Sequence, residues 1–182
     1  DQHPERKMKT LFDEIERLKT SGVESSALRT GDRAPDFILY DDREGNFIDS
    51  KKLRKHGPLI ITFYHGHTSP LCMFQLDAWH KHLSKFEAKG AALVALSPAS
   101  KSNDLYQAVA YSGAKFPLLR DMDNEVAKRF GIAHETIDYL SSAADWEEKR
   151  TLPMTATYVI DQSGLILYSF VNVDHTQRAE PS

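Results

Sequence analysis

The chain holds a single cysteine among 182 residues, Cys72, so no disulfide can close within it. That scarcity argues against a disulfide-stapled secreted scaffold and favours a reducing, cytoplasmic setting. No apolar stretch approaches the ~20 residues of a membrane-spanning helix, so no membrane partner is expected. Charge of one sign is lacking too. The 23 Lys and Arg against 26 Asp and Glu leave a net charge of −3, which offers no general attraction to nucleic acid or an anionic membrane. Repeats and low-complexity tracts are absent. The first residue is Asp1 rather than Met, which points to a processed or trimmed start, and no charged-then-apolar signal pattern follows.

What is present is ordinary for one globular domain: 41% hydrophobic and 27% charged residues, with length enough for a sizeable core. Met8, Leu11, Phe12, Ile15 and Leu18 recur at helical spacing over residues 4–20, and Gly22 stops the pattern. A polar, Ser-rich stretch follows, so residues 1–28 are expected to be an N-terminal helix and linker, and residues 29–182 the main domain. Residues 36–40 and 47–48 flank a turn and predict a hairpin, and residues 51–55 one helical turn. Buried-type strands are expected over 58–64 and 91–96, and a short one over 116–119. Helices are expected over 70–89, 101–112 and 123–130. Residues 132–151 are polar and read as an insertion with some helix. Residues 155–161 and 165–173 flank Gln162-Ser163-Gly164, a second hairpin signal. The fold class is therefore α/β, a central mixed β-sheet flanked by helices, with an extra N-terminal helix.

Cys72 falls between the strand Leu59–Tyr64 and the helix that carries Leu76, Trp79, Leu83 and Phe86 on one stripe. In open α/β sheets, sites gather at the carboxyl ends of strands. A thiol in the first turn of a helix meets unpaired backbone N–H groups and the positive end of the helix dipole, and both favour the thiolate. Ser69 reads as the N-cap and Pro70 as the first helical residue. The hydroxyl of Ser69 can accept a backbone N–H and turn its proton toward the sulfur. The competing readings are a plain helix cap for Ser69-Pro70 and an inert core thiol for Cys72.

This order of elements resembles the thioredoxin fold. Three segments sharpen the resemblance to the peroxiredoxin family, also called alkyl hydroperoxide reductase / thiol-specific antioxidant-like. They are Gly31-Asp32-Arg33-Ala34-Pro35-Asp36-Phe37, then Phe63-Tyr64 with Ser69-Pro70-Leu71-Cys72, then Tyr158 to Asp161 with Gly164 to Ile166. The resemblance spans roughly residues 29–181. It implies a thiol peroxidase in which Cys72 attacks a peroxide with Ser69 as its partner, and no cofactor or metal takes part. Two positions depart from the family. His65 stands where its proline is expected, and Thr155 where its arginine is expected, with Arg150 the nearest upstream candidate. A subgroup with Phe-Tyr-x-Gly, Cys-Pro-x-Cys and Leu-Pro-x-Pro-Ala-Thr is nearer still. Against it Ser69 replaces the first cysteine, and residues 174–181 resemble its ending. Such proteins usually continue into another helix, so a chain cut short at Ser182 is expected.

His65 and His67 read as a cation or acid near the sulfur, as part of a metal site with Cys72 and His80, or as polar loop residues. Arg150 and Arg178 read as guanidinium donors to peroxide or thiolate, or as surface charges. Pro153 reads as the proline that faces the cysteine in thioredoxin folds, or as a loop proline. His134 and His175 show no constellation in the sequence. The expected partners are a peroxide, hydrogen peroxide or a small organic hydroperoxide, and an external thiol reductant of thioredoxin or glutathione type. A homodimer is the candidate assembly. The leading function is a one-cysteine peroxidase. A thiol redox sensor that forms mixed disulfides, and a fold member used only for binding, are the alternatives.

Overall fold

A computed structural model describes residues 4–98, 102–137 and 148–181. In chain order the elements are helix α1 (Pro4–Ser21), a 3-10 turn (Val23–Ser26), strands β1 (Ile38–Asp41) and β2 (Asn46–Asp49), and the short helix α2 (Ser50–Leu53). Strand β3 (Leu59–Phe63), helix α3 (Pro70–Glu87), strand β4 (Ala92–Ser97), helix α4 (Ser102–Ser112) and strand β5 (Leu118–Arg120) follow. A second 3-10 turn (Met122–Asn124) leads into helix α5 (Glu125–Arg129). Strands β6 (Ala133–Ile137), β7 (Lys149–Pro153), β8 (Thr155–Ile160) and β9 (Ile166–Asn172) complete the series.

Five strands form one sheet in the order β5-β4-β3-β8-β9. Strands β3, β4 and β5 run parallel. Strand β8 is antiparallel to β3, and β9 to β8. All five residues of β3 are buried, as expected for a central strand covered on both faces, which needs a continuous apolar run. Side chains alternate between those faces. Leu59, Ile61 and Phe63 join Val94, Leu96, Val126, Phe130 and Tyr158 on one side. Ile60 and Tyr64 join Leu93, Ala95, Cys72, Leu76, Trp79, Leu105 and Ala108 on the other. Helices α3 and α4 therefore cover the face that holds the cysteine, and α5 covers the opposite face. Among the described residues no helix is long and apolar enough to cross a membrane.

The N-terminal helix is tied to the sheet by its last turns. Leu18 enters the larger core, and Leu11 and Ile15 meet Ile137. The Thr136 hydroxyl donates to Glu14 at 2.7 Å. Met8 and Phe12, which share the apolar spacing, are 51% and 60% exposed.

Two segments differ from expectation. The helix expected over 123–130 is broken: Asp123 and Asn124 take left-handed backbone, φ 55° and 56°, and α5 starts only at Glu125. The buried carboxylate of Asp121 serves as its N-terminal cap and accepts the N–H groups of Val126 and Ala127, each at 2.8 Å. The segment 132–151, expected to be an insertion with some helix, pairs at its two ends as a hairpin, β6 antiparallel to β7, while 138–147 lie outside the described residues. Its inward positions include the polar His134 and Thr136, so hydrophobic alternation cannot mark it.

Gly131 closes α5 at φ 70° against the polar turn that follows α1. A Cβ at this position would lie 1.9 Å from the Ser26 carbonyl oxygen. Gly22 shares the left-handed backbone, φ 73°, but has nothing within 4 Å of a Cβ. Gly131→Ala should therefore cost well over the ~1 kcal/mol that left-handed strain alone gives Gly22→Ala, measured by urea unfolding. Equal losses would show that the contact with Ser26 relaxes freely.

Candidate active site

The polypeptide leaves β3 at Phe63 and crosses residues 64–69 before α3 begins. Tyr64 is still held to the sheet, its N–H donating to Leu96 at 2.9 Å. Gly66 turns the chain with φ 148°, and Ser69 N–H donates to Gly66 at 3.3 Å. Ser69 is the N-cap of α3: its backbone is extended, Pro70 opens the helix, and its hydroxyl accepts the Cys72 N–H at 3.4 Å. Cys72 thus lies in the first turn of an 18-residue helix, where the dipole favours an anion.

The sulfur is fully buried, as is Ser69. Two donors approach it. The backbone N–H of His65 lies 3.4 Å away, and Arg178 Nη1 lies 3.5 Å away. The same Nη1 donates to Gln75 Oε1 at 3.0 Å, while Arg178 Nε donates to the His175 carbonyl at 2.9 Å. Burial alone pushes the Cys72 thiol up. The Arg178 guanidinium, the His65 ring, the Ser69 hydroxyl and the His65 N–H outweigh it, and the thiol is held below its ordinary value. The balance is reasonable in size. A full charge at 3.5 Å is worth roughly 5 kcal/mol at an effective dielectric near 20, against about 1.4 kcal/mol per unit of pKa.

The structure separates the sequence candidates. Ser69 and His65 stand beside Cys72. His67 does not: it turns toward α4, with Nδ1 3.8 Å from Asp104. Arg150 lines the neighbouring cleft, whereas Arg178 reaches the sulfur. Pro153 serves through its carbonyl, which accepts His65 Nε2–H at 3.0 Å. Trp79 is core, 4% exposed. His175 and His134, which showed no constellation in the sequence, join His65 in a buried cluster. The rings of His65 and His175 meet edge to face at 4.1 Å, and His134 and His175 lie 6.1 Å apart. Among the described residues no group of three or more His, Cys, Asp or Glu is arranged to hold a metal ion.

Beside the thiol opens a cleft of about 760 Å³, lined by residues 65–68, by Pro98 and Asp104, by Asp123, Asn124, Glu125 and Lys128, and by Arg150 to Leu152. The sulfur itself does not line it. His65 does line it, and its backbone N–H meets the sulfur.

The histidine cluster carries a pH dependence. Burial pushes His134 down to about 4 and His175 well below the ordinary histidine value. The folded state therefore refuses protons that the unfolded chain accepts below pH ~6.5. Stability is full above that pH and falls as the pH drops toward 4. The His134 share is on the order of 3 kcal/mol. Urea unfolding near neutral pH and near pH 4.5 should show this loss, reduced in His134→Gln. An equal loss in the variant would assign it to other groups.

The thiol pKa should rise in Arg178→Gln relative to the wild-type protein, since burial then meets less opposition. Thiolate absorbance against pH reads this directly, and an unmoved titration would remove Arg178 from the account.

Comparison with known proteins adds three results. A family model described as the AhpC/TSA family matches residues 30–169. A "Peroxiredoxin Q, chloroplastic" of Triticum aestivum is 26% identical over 156 residues, covering 86% of this chain and 65% of that protein. A protein of the same description from Sedum lineare is 30% identical over 142 residues, 78% of this chain and 68% of that protein. The chain thus spans a little under two thirds of the wheat relative. Among solved structures, a peroxidoxin of Mycobacterium tuberculosis superposes with a TM-score of 0.65 at 22% identity, covering 82% of this chain and 91% of that one. That likeness establishes the thioredoxin-like fold.

Proposed function

Because the chain belongs to the AhpC/TSA family, we propose that it is a thiol-dependent peroxidase that works with one cysteine. The observation that carries this reading is the donor setting of Cys72: a first-turn thiol with an Arg178 guanidinium at 3.5 Å and a backbone N–H at 3.4 Å. The Cys72 thiolate attacks one oxygen of hydrogen peroxide or a small organic hydroperoxide, and the O–O bond breaks. Cys72 becomes a sulfenic acid, and the second oxygen leaves as water or an alcohol after taking a proton. The Ser69 hydroxyl and the Arg178 guanidinium face the charge that moves from sulfur to oxygen, and His65 is placed to give the proton. With no second cysteine in the chain, an external thiol returns the sulfur to its starting state.

The buried sulfur sets a condition on this chemistry. A peroxide reaches the sulfur only when the side chains packed around it yield. Such rotamer and loop motion is fast beside a turnover. A reducing, cytoplasmic setting suits the reading, because a lone thiol is kept available there.

Stopped-flow mixing with hydrogen peroxide should give a single oxidation of Cys72 faster than free cysteine. Ser69→Ala should slow it by roughly tenfold or more, and cost about 1 kcal/mol of stability through the lost cap. A wild-type rate equal to that of free cysteine would leave a fold member without this activity.

A further inference from the structure

Residues 173–181 belong to no helix or strand, yet they close over the site. Val173, His175 and Ala179 are buried, His175 fully, and Arg178 Nη1 lies 3.5 Å from the sulfur. Backbone bonds in the segment are local. Asp174 N–H reaches Asn172 Oδ1, and the N–H groups of Thr176 and Gln177 reach Asp174. At its start the Val173 N–H crosses to the Glu24 carboxylate at 2.8 Å. Side chains do the docking. The His175 ring stands edge to face on His65 at 4.1 Å, and Arg178 bonds both Cys72 and Gln75.

The three buried histidines differ in what a move to water breaks. His134 belongs to β6 and is paired with Leu152 of β7. His65 is fixed by its N–H on the sulfur and its Nε2–H on the Pro153 carbonyl. His175 rides on the segment that has no strand ladder. The groups that face it are His65 from the loop after β3, His134 from β6 and Arg178 from its own segment, and each disfavours a proton there. Farther out, Glu14 and Arg17 of α1 act on His134 with opposite sign, and Cys72 of α3 faces His65 and Arg178. A buried imidazolium in such company is relieved by losing its proton or by reaching water. For His175 the second way costs the fewest backbone bonds.

We propose that residues 173–181 are an acid-released latch: a proton taken up at His175 undocks the segment and withdraws Arg178 from Cys72 while the central sheet stays folded. The two side chains leave together, because Arg178 Nε donates to the His175 carbonyl at 2.9 Å. The sign follows from burial. The docked ring refuses a proton that the released ring takes below pH ~6.5. The latch is closed above that pH and opens as the pH falls. Acid thereby strips the thiol of the cation that most opposes its burial.

Hydrogen exchange of the wild-type protein, corrected for the intrinsic effect of pH, reads the release. Between pH 7 and pH 5 the protonation of His175 should raise the released fraction roughly 25-fold, and protection across residues 173–180 should fall by that factor. The amides of β3 and β4 should keep theirs. Unchanged protection across 173–180, or an equal fall in β3 and β4, would overturn the latch. His175→Phe and His175→Gln cannot take the proton, and the fall should shrink to under about threefold in them. A full fall retained in either variant would assign the release to other groups and overturn it too. Glu24→Gln keeps an acceptor for Val173 and should leave the fall intact; its loss there would place the switch at Glu24 instead. None of these readouts uses peroxide, so the latch and the peroxidase reading fail separately.

Discussion

The burial of a sulfur whose charged form needs partners is the constraint around which this site is arranged. Burial opposes the thiolate, so every favourable contact must be supplied by the fold: the first turn of α3, the Ser69 cap, the His65 N–H and the Arg178 guanidinium. None of these survives alone. The helix dipole acts only within the first turn. The His65 N–H is aimed only because Tyr64 is still bonded to β4 and Gly66 turns the loop. The guanidinium is aimed because the His175 carbonyl and Gln75 hold two of its nitrogens.

The sheet serves this arrangement by fixing distances between remote segments. Strand β3 lies between β4 and β8, so the loop after β3 meets the chain that enters β8. Pro153, just before β8, therefore offers its carbonyl to His65. The residues after β9 return along the same end of the sheet and place His175 against the His65 ring. The buried imidazoles fill the space between hairpin, loop and C-terminal segment, and their cost at low pH accompanies that placement.

Much of this order was legible in the residues. Runs such as Leu59 to Phe63 and Ala92 to Ser97 announce central strands, and Gln162-Ser163-Gly164 announces the last hairpin. Ser69-Pro70 three residues before Cys72 announces a capped helix with its thiol in the first turn. The illegible parts share a physical origin. Strand β6 turns polar side chains inward, which hides its period. The left-handed pair Asp123 and Asn124 breaks a helix that composition favours. Arg178 lies 106 positions from Cys72, and no residue beside it in the sequence marks the sulfur it approaches. Arg150 was the nearer candidate by alignment with the family, but the register of β7 sends it to the cleft.

The distance in sequence between Arg178 and Cys72 also orders events in time. Synthesis delivers the cysteine, its cap and its helix long before the guanidinium. A nascent chain that has emerged only as far as β8 holds a first-turn thiol without its strongest cation. The guanidinium reaches the sulfur only with the docking of residues 173–181, where Val173, His175 and Ala179 become buried. The fold thus joins the cation to the sulfur only as the last buried part of the core closes over both.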